Sequence, residues 1–160
     1  MTASPSGPAR NLAGTGRLHA FYEHVGTTVS SGPDRARVQA RMIAAVLAER
    51  SGPQRIVDVG CGEGTATDLV QQLDPGNTVI GVDWSAMALV QARARGLLVI
   101  QGGVDASGLP LPDASADVVI MSELIEHLVD TDAAVEEARR DSRGAPTLSI
   151  GHERGRSAHV

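Results

Sequence analysis

The stretch Val57-Asp58-Val59-Gly60-Cys61-Gly62-Glu63-Gly64 sets a carboxylate just before three glycines at alternate positions, where an apolar run gives way to a helical period. Residues without side chains remove the groups that would keep a ligand off the backbone. A second carboxylate, Asp83, ends the next apolar run, 23 residues after Gly60. An acid roughly 20 residues beyond such a turn can accept hydrogen bonds from both hydroxyls of a ribose, so the two motifs together point to a nucleoside-bearing ligand. Trp84 follows directly and offers a ring face to a purine, or a cover for the sheet edge. The G-x-G-x-x-G spacing of a dinucleotide site fails, because position 65 is Thr. A third constellation, Glu123, Glu126 and His127, could supply oxygen and imidazole ligands to a divalent metal, and His127 is the one candidate general base. Cys61 reads as a small filler and not a nucleophile, since no His or Lys stands near it in sequence to lower its pKa.

These groups need elements to hold them. Residues 1–16 are rich in Ser, Pro, Gly and Ala without periodicity and are expected to form a disordered tail. Leu18, Phe21, Tyr22 and Val25 fall at helical spacing and predict a short amphipathic helix. Pro33 and Asp34 open a second helix, in which Val38, Met42, Ala45, Val46 and Glu49 are expected to share a face, and Gly52-Pro53 closes it. Strands are expected over Ile56–Gly60, Thr78–Asp83, Leu97–Gln101, Asp117–Ser122 and Thr147–Ile150. Between the first two, Ala66, Leu69, Val70 and Leu73 give a helical period, followed by the turn Asp74-Pro75-Gly76-Asn77. Ser85 is expected to cap a helix ending near Gly96, and Thr131 another whose last turn, with Arg139, Arg140 and then Arg143, reads as a solvated end matched to the helix dipole. Strands alternating with helices predict an α/β, Rossmann-like doubly wound sheet, mostly parallel, with helices on both faces over residues 17–150. Ligands of such sheets sit at the carboxyl ends of the strands, where every motif above falls. Residues 151–160 are expected to be an irregular tail.

Bulk properties narrow the function classes. A chain of 160 residues with 42% hydrophobic content suits one core of ordinary size. Its net charge is −5 and all its 14 cationic Lys/Arg positions are Arg, which leaves no broad electrostatic footprint for nucleic acid or an anionic membrane. The single cysteine rules out an internal disulfide and fits a reducing, cytoplasmic setting. No apolar run approaches the roughly 20 residues needed to span a bilayer, so a soluble enzyme or binding domain for a small molecule is expected.

In order and spacing, VDVGCGEG, GVDWSAMAL and DASGLPLPDASADVVIMSELIEHL resemble the successive motifs of class I S-adenosylmethionine-dependent methyltransferases, over roughly residues 55–140. The resemblance implies that Gly60, Cys61, Gly62 and Gly64 line the methionine part of the cofactor, with Asp58 near its amino group. It implies further that Asp83 holds the ribose, Trp84 flanks the adenine, Asp105 with Ala106 meets the adenine amino group, and Met121 and Ser122 face the cofactor through backbone groups. Phe21 and Tyr22 fall where the family often places a lid, although on residue type alone they read as core packing. Strings like Glu123 to His127 occur in metal-using small-RNA 2'-O-methyltransferases and in ubiquinone-pathway O-methyltransferases. They occur in metal-free relatives too, so the expectation is no metal, with that trio as the alternative. The activity implied is methyl transfer to an O, N or C nucleophile of a small-molecule acceptor. The rival readings are a non-catalytic cofactor-binding or scaffold remnant and, less well matched by the glycine spacing, a nicotinamide dinucleotide enzyme.

The family sheet has seven strands, the last two forming a hairpin. Here about five are expected, without that hairpin, and RRDSRGAPTLSIG at 139–151 resembles a degraded helix end, Pro-Gly-Gly turn and fifth strand. That pattern suggests a truncated or frame-shifted product. A five-stranded sheet would present an open edge through which a second copy could pair to form a homodimer.

Overall fold

A computed structural model describes residues 33–104, 108–124, 128, 130–150 and 158–159. The short helix expected around Phe21 and Tyr22 lies outside the described residues, as do Asp105, Ala106, Glu126 and His127. In chain order the elements are α1 (Pro33–Leu47), β1 (Arg55–Val59), α2 (Thr65–Leu73), β2 (Thr78–Asp83), α3 (Ala86–Ala94), β3 (Leu98–Gln101), β4 (Ala116–Ile120), α4 (Thr131–Asp141), β5 (Ser142–Ile150) and β6 (Ala158–His159). The strands form one sheet in the order β3-β2-β1-β4-β5-β6. The first five are parallel, and β6 pairs antiparallel with the end of β5 through Ser149–His159 and Ile150–Ala158. Two of the residues expected in an irregular tail therefore sit at the sheet edge.

Each central strand buries both faces, because helices cover both, and its alternate residues supply two separate cores. On one side Ile56, Val79, Val118 and Ile120 pack with Ala40 and Ile43 of α1 and Val70 of α2. On the other, Val57, Val59, Val82, Val119 and Met121 pack with Ala134 and Ala138 of α4. The register sets Val57 beside Ile80 on one neighbour and Val119 on the other, aligning the carboxyl ends of β1, β2 and β4. The order of connection reverses between β1 and β4, and in sheets of this kind the ligand crevice lies at the carboxyl ends of the strands at such a switch point.

Several local expectations need correction. The buried face of α1 consists of Ala36, Gln39, Ala40, Ile43 and Val46, whereas Val38 is 56% exposed. Of the expected stripe only Val46 is buried; the face toward the sheet is turned to Ala36, Gln39, Ala40 and Ile43, where two alanines let the helix approach closely. The cap of α4 is Asp130, whose Oδ1 accepts from Ala133 N at 2.9 Å, and Thr131 is the first helical residue. Ser85 caps α3 as expected, accepting from Ala88 N. The fifth strand begins five residues earlier than expected, at Ser142, directly after α4. Its register jumps: Ala116 faces Ser142, but Val118 already faces Thr147. The extra residues of the longer strand include Pro146, which has no amide to give to a ladder. From Thr147 to Ser149 the pairing is regular.

Gly64, the residue before α2, has φ +77°, and a Cβ there would run into Leu97 and Ala92 at the α3–β3 connection. Gly96 has φ +84° with open space around it. Gly64→Ala should therefore combine backbone strain with overpacking and cost about 3 kcal/mol. Gly96→Ala should cost only the strain, about 1 kcal/mol. Urea unfolding of the two variants beside the parent measures the difference, and equal losses would refute the packing account of Gly64.

Candidate functional site

The crevice at the carboxyl ends is built first by the bend from β1 into α2. Gly60, Gly62 and Gly64 all lie in the left-handed region, at φ +79°, +54° and +77°. This backbone path, more than clearance for a ligand, requires glycine at Gly60 and Gly64: a Cβ on Gly60 would press the Leu124 side chain at 3.2 Å, and one on Gly64 would meet α3 and Leu97. Of the three, Gly62 alone has no neighbour among the described residues in the space a Cβ would take. Four amides of the bend, those of Gly60, Cys61, Gly62 and Gly64, are committed to the protein itself. Gly60 N and Cys61 N donate to Val82 O at 2.7 and 3.2 Å, and Gly64 N donates to Cys61 O at 2.9 Å.

Asp83 completes the bend from the neighbouring strand. Its Oδ2 accepts from Gly62 N and its Oδ1 from Ser85 N, both at 2.8 Å. One carboxylate thus ties the glycine turn to the start of α3. It is 8% exposed, and burial raises its pKa against the lowering effect of those amides. A carboxylate has about four acceptor positions, more than these backbone amides fill, so it keeps a lone pair for a ligand.

Asp58 lies one residue inside the end of β1, 6% exposed, and accepts from Thr67 Oγ1 of α2 at 2.6 Å. Burial pushes its pKa up to about 6, the Thr67 hydrogen bond holds it lower than burial alone would, and the nearby Asp83 charge adds to the rise. Burial, with Asp58 and Asp83 nearby, also drives the Cys61 thiol well above its ordinary range. The Cys61 side chain lies on Gly81 of β2, where a Cβ would come within 2.7 Å of its sulfur. This agrees with a filler and leaves no thiolate for nucleophilic chemistry.

Other residues singled out in the sequence fall around the same edge. Trp84 is half-buried just past β2, and its carbonyl accepts from Gln101 Nε2 at 3.0 Å. Met121 and Ser122 follow β4, with the Met121 side chain fully buried in the core, so that only its backbone can face the crevice. Glu123 has φ +55°, unusual for a residue with a side chain, and its Oε2 lies 3.6 Å from Arg35 Nη1 of α1. Among the described residues no cluster of three metal-ligating side chains occurs. Arg140 departs from the solvated helix end read in the sequence: its guanidinium reaches Asp113, Glu137 and Asp141 at 3.0, 2.9 and 2.8 Å.

Sequence reasoning missed Thr67, Gly81 and Glu137. A hydroxyl nine residues after a strand-end acid was the available signal for Thr67, since a buried carboxylate needs a donor. Nothing local marks the other two.

A sheet whose five parallel strands run in this order, with a glycine bend and two buried acids at the switch point, is a Rossmann-like domain for a nucleoside cofactor. The family model described as a methyltransferase domain matches residues 57–143, and the chain belongs to that family. It is 38% identical over 104 residues to a "probable S-adenosylmethionine-dependent methyltransferase" of Mycobacterium tuberculosis, a match covering 65% of this chain and 37% of that protein. It is 32% identical over 123 residues to the demethylmenaquinone methyltransferase of Thermus thermophilus, covering 74% of this chain and 54% of that one. The chain thus spans about a third to a half of the length of these relatives. Among solved structures, the CurJ carbon methyltransferase superposes with a TM-score of 0.63 at 16% identity over 72% of this chain and 34% of that one, a likeness of fold. The fold is therefore that of class I methyltransferases, and the cofactor that goes with the family is S-adenosylmethionine. Among the described residues no helix is long and apolar enough to cross a membrane.

The Asp58 shift yields a sign-specific test. Its pKa is higher in the folded chain (about 6) than the ordinary 3.8, so the protonated form favours folding and this contribution is lost as pH rises from about 4 to about 6. Asp58→Asn should match the parent near pH 4 and exceed its stability by about 3 kcal/mol at pH 7. Thr67→Val, which removes the bond that holds the carboxyl down, should extend the window above pH 6. Denaturant unfolding across pH 4–8 checks both, and a pH-independent gap between Asp58→Asn and parent would contradict the assignment.

Proposed function

We propose that this chain is the cofactor-binding domain of an S-adenosylmethionine-dependent methyltransferase acting on an O, N or C nucleophile of a small molecule. The observation that carries the reading is the pairing of two buried carboxylates, Asp58 and Asp83, with a bend whose amides at Gly60, Cys61, Gly62 and Gly64 are already satisfied internally. Such a site is electrostatically matched to a ligand carrying an ammonium and a sulfonium. A diphosphate would meet two acids and, at Gly60, Cys61, Gly62 and Gly64, amides already given away. This supports S-adenosylmethionine over a nicotinamide dinucleotide.

In this reading Asp83 accepts from the ribose hydroxyls with the lone pairs that Gly62 N and Ser85 N leave over. Asp58 faces the amino group, and Gly60, Cys61, Gly62 and Gly64 form the wall along the methionine part. Trp84 flanks the adenine, Asp105 with Ala106 meets its amino group, and Met121 and Ser122 close the crevice from β4 with backbone groups. When bound, the cofactor supplies a methyl group activated by its sulfonium, so the protein's task is chiefly to align acceptor and methyl carbon. A base that takes the acceptor's proton is optional, and His127 is the candidate for that role. Small-molecule acceptors are supported by the demethylmenaquinone methyltransferase among the relatives.

Isothermal titration with S-adenosylmethionine, followed by an assay for S-adenosylhomocysteine with candidate acceptors, tests the proposal. The parent should bind, and Asp83→Ala should weaken binding by about tenfold to a hundredfold while circular dichroism shows it folded. Competition by NAD should be absent. A folded parent without affinity for S-adenosylmethionine would refute the reading, and binding without turnover for any acceptor would identify a non-catalytic cofactor-binding domain.

A further inference from the structure

Glu137 lies on α4, on the opposite side of the loop that joins β3 to β4, and the function proposed above leaves it without a task. Its carboxylate, 19% exposed, accepts from Leu109 N of that loop through Oε1 at 2.8 Å. Gly108, at φ +77°, sits so close to the same oxygen that any Cβ there would overlap it. Arg140 Nη2 lies 2.9 Å from Oε1 and so helps to hold the side chain toward the loop. The Leu109 side chain is itself buried in the core beside α4. The loop is therefore fixed at Gly108–Leu109 by one buried apolar side chain and one charge-assisted hydrogen bond.

The next residue transmits that position to the ligand edge. Pro110 packs on Gly102 so tightly that a Cβ on Gly102 would come within 2.6 Å of the proline Cγ. Gly102 N donates to Asp83 O at 3.0 Å. Gly103, beside it, lies against Trp84: a Cβ there would be 4.0 Å from the Trp84 Cβ. A continuous series of contacts thus runs from Glu137 through Leu109, Pro110 and Gly102 to Asp83 and Trp84. We infer that Glu137 is a positioning residue for the ligand edge: by anchoring Leu109 it presses Pro110 onto Gly102 and so fixes where β2 presents Asp83 and Trp84. The consequence for cofactor affinity rests on the function proposed above; the positioning itself does not.

Trp84 is the chain's one tryptophan, which supplies a readout that needs no ligand. In the full chain without cofactor, Glu137→Ala should shift the Trp84 emission to the red and increase its quenching by acrylamide. Glu137→Gln, which keeps an acceptor for Leu109 N, should restore the parent signal. Gly96→Ala serves as a control for a general loss of stability, and it should leave Trp84 unchanged. Pro110→Ala cuts the same series downstream and should reproduce the effect of Glu137→Ala even if that variant fails to fold. Affinity for S-adenosylmethionine should fall about tenfold in both variants and recover in Glu137→Gln. An unchanged Trp84 signal in folded Glu137→Ala or folded Pro110→Ala would overturn the inference. A changed Trp84 signal in a protein whose parent binds no S-adenosylmethionine would leave the positioning in place and overturn the functional reading instead.

Discussion

The carboxylate of Asp83 holds the ligand edge together. One oxygen takes the amide of Gly62 in the bend after β1, and the other takes the amide of Ser85 at the start of α3. Two connections that leave neighbouring strands are thereby tied to a single side chain. Because it is buried, the acid must have donors, and because those donors are main-chain groups, their geometry is set by the fold and not by rotamer choice. Satisfying the acid and shaping the bend are one and the same event.

From that tie follows the charge of the site. A bend that donates its amides to Val82, to Cys61 O and to Asp83 has spent at these positions the donors with which nucleotide folds commonly grip phosphate. What remains near the crevice is negative: Asp83 and, behind the bend, Asp58 held by Thr67. Burial keeps both acids at raised pKa, and a cationic ligand would relieve this. The same sheet can therefore serve either anionic or cationic cofactors, depending on whether the turn's amides face outward or inward. The bend of this chain, with four of its amides turned inward, is of the second kind.

Around this center, packing imposes its own conditions. Gly64 must lack a side chain because Leu97 and Ala92 occupy that space, and Gly81 must lack one because the Cys61 sulfur does. Glycines that look in sequence like openings for a ligand are thus largely spaces for other parts of the protein. Gly62 alone of the three in the bend leaves room that nothing among the described residues fills.

Much of this was legible in the residues alone. Apolar runs of strand length bounded by turns located the first four strands to within two residues at either end, and the interval from Gly60 to Asp83 marked an acid and a bend that the fold brings into contact. Local chemistry determines such features: dihedral freedom at glycine, side-chain alternation, a serine that can cap. The tertiary structure alone decided which face of α1 is buried, where β5 begins, what fills the space beside Gly64, and which acids meet which donors. Those outcomes depend on partners far apart in the chain, such as Leu109 and Glu137, or Cys61 and Gly81. A polar side chain carries no mark in sequence of the distant group that will satisfy it, so only the folded arrangement of the layers could assign the pair.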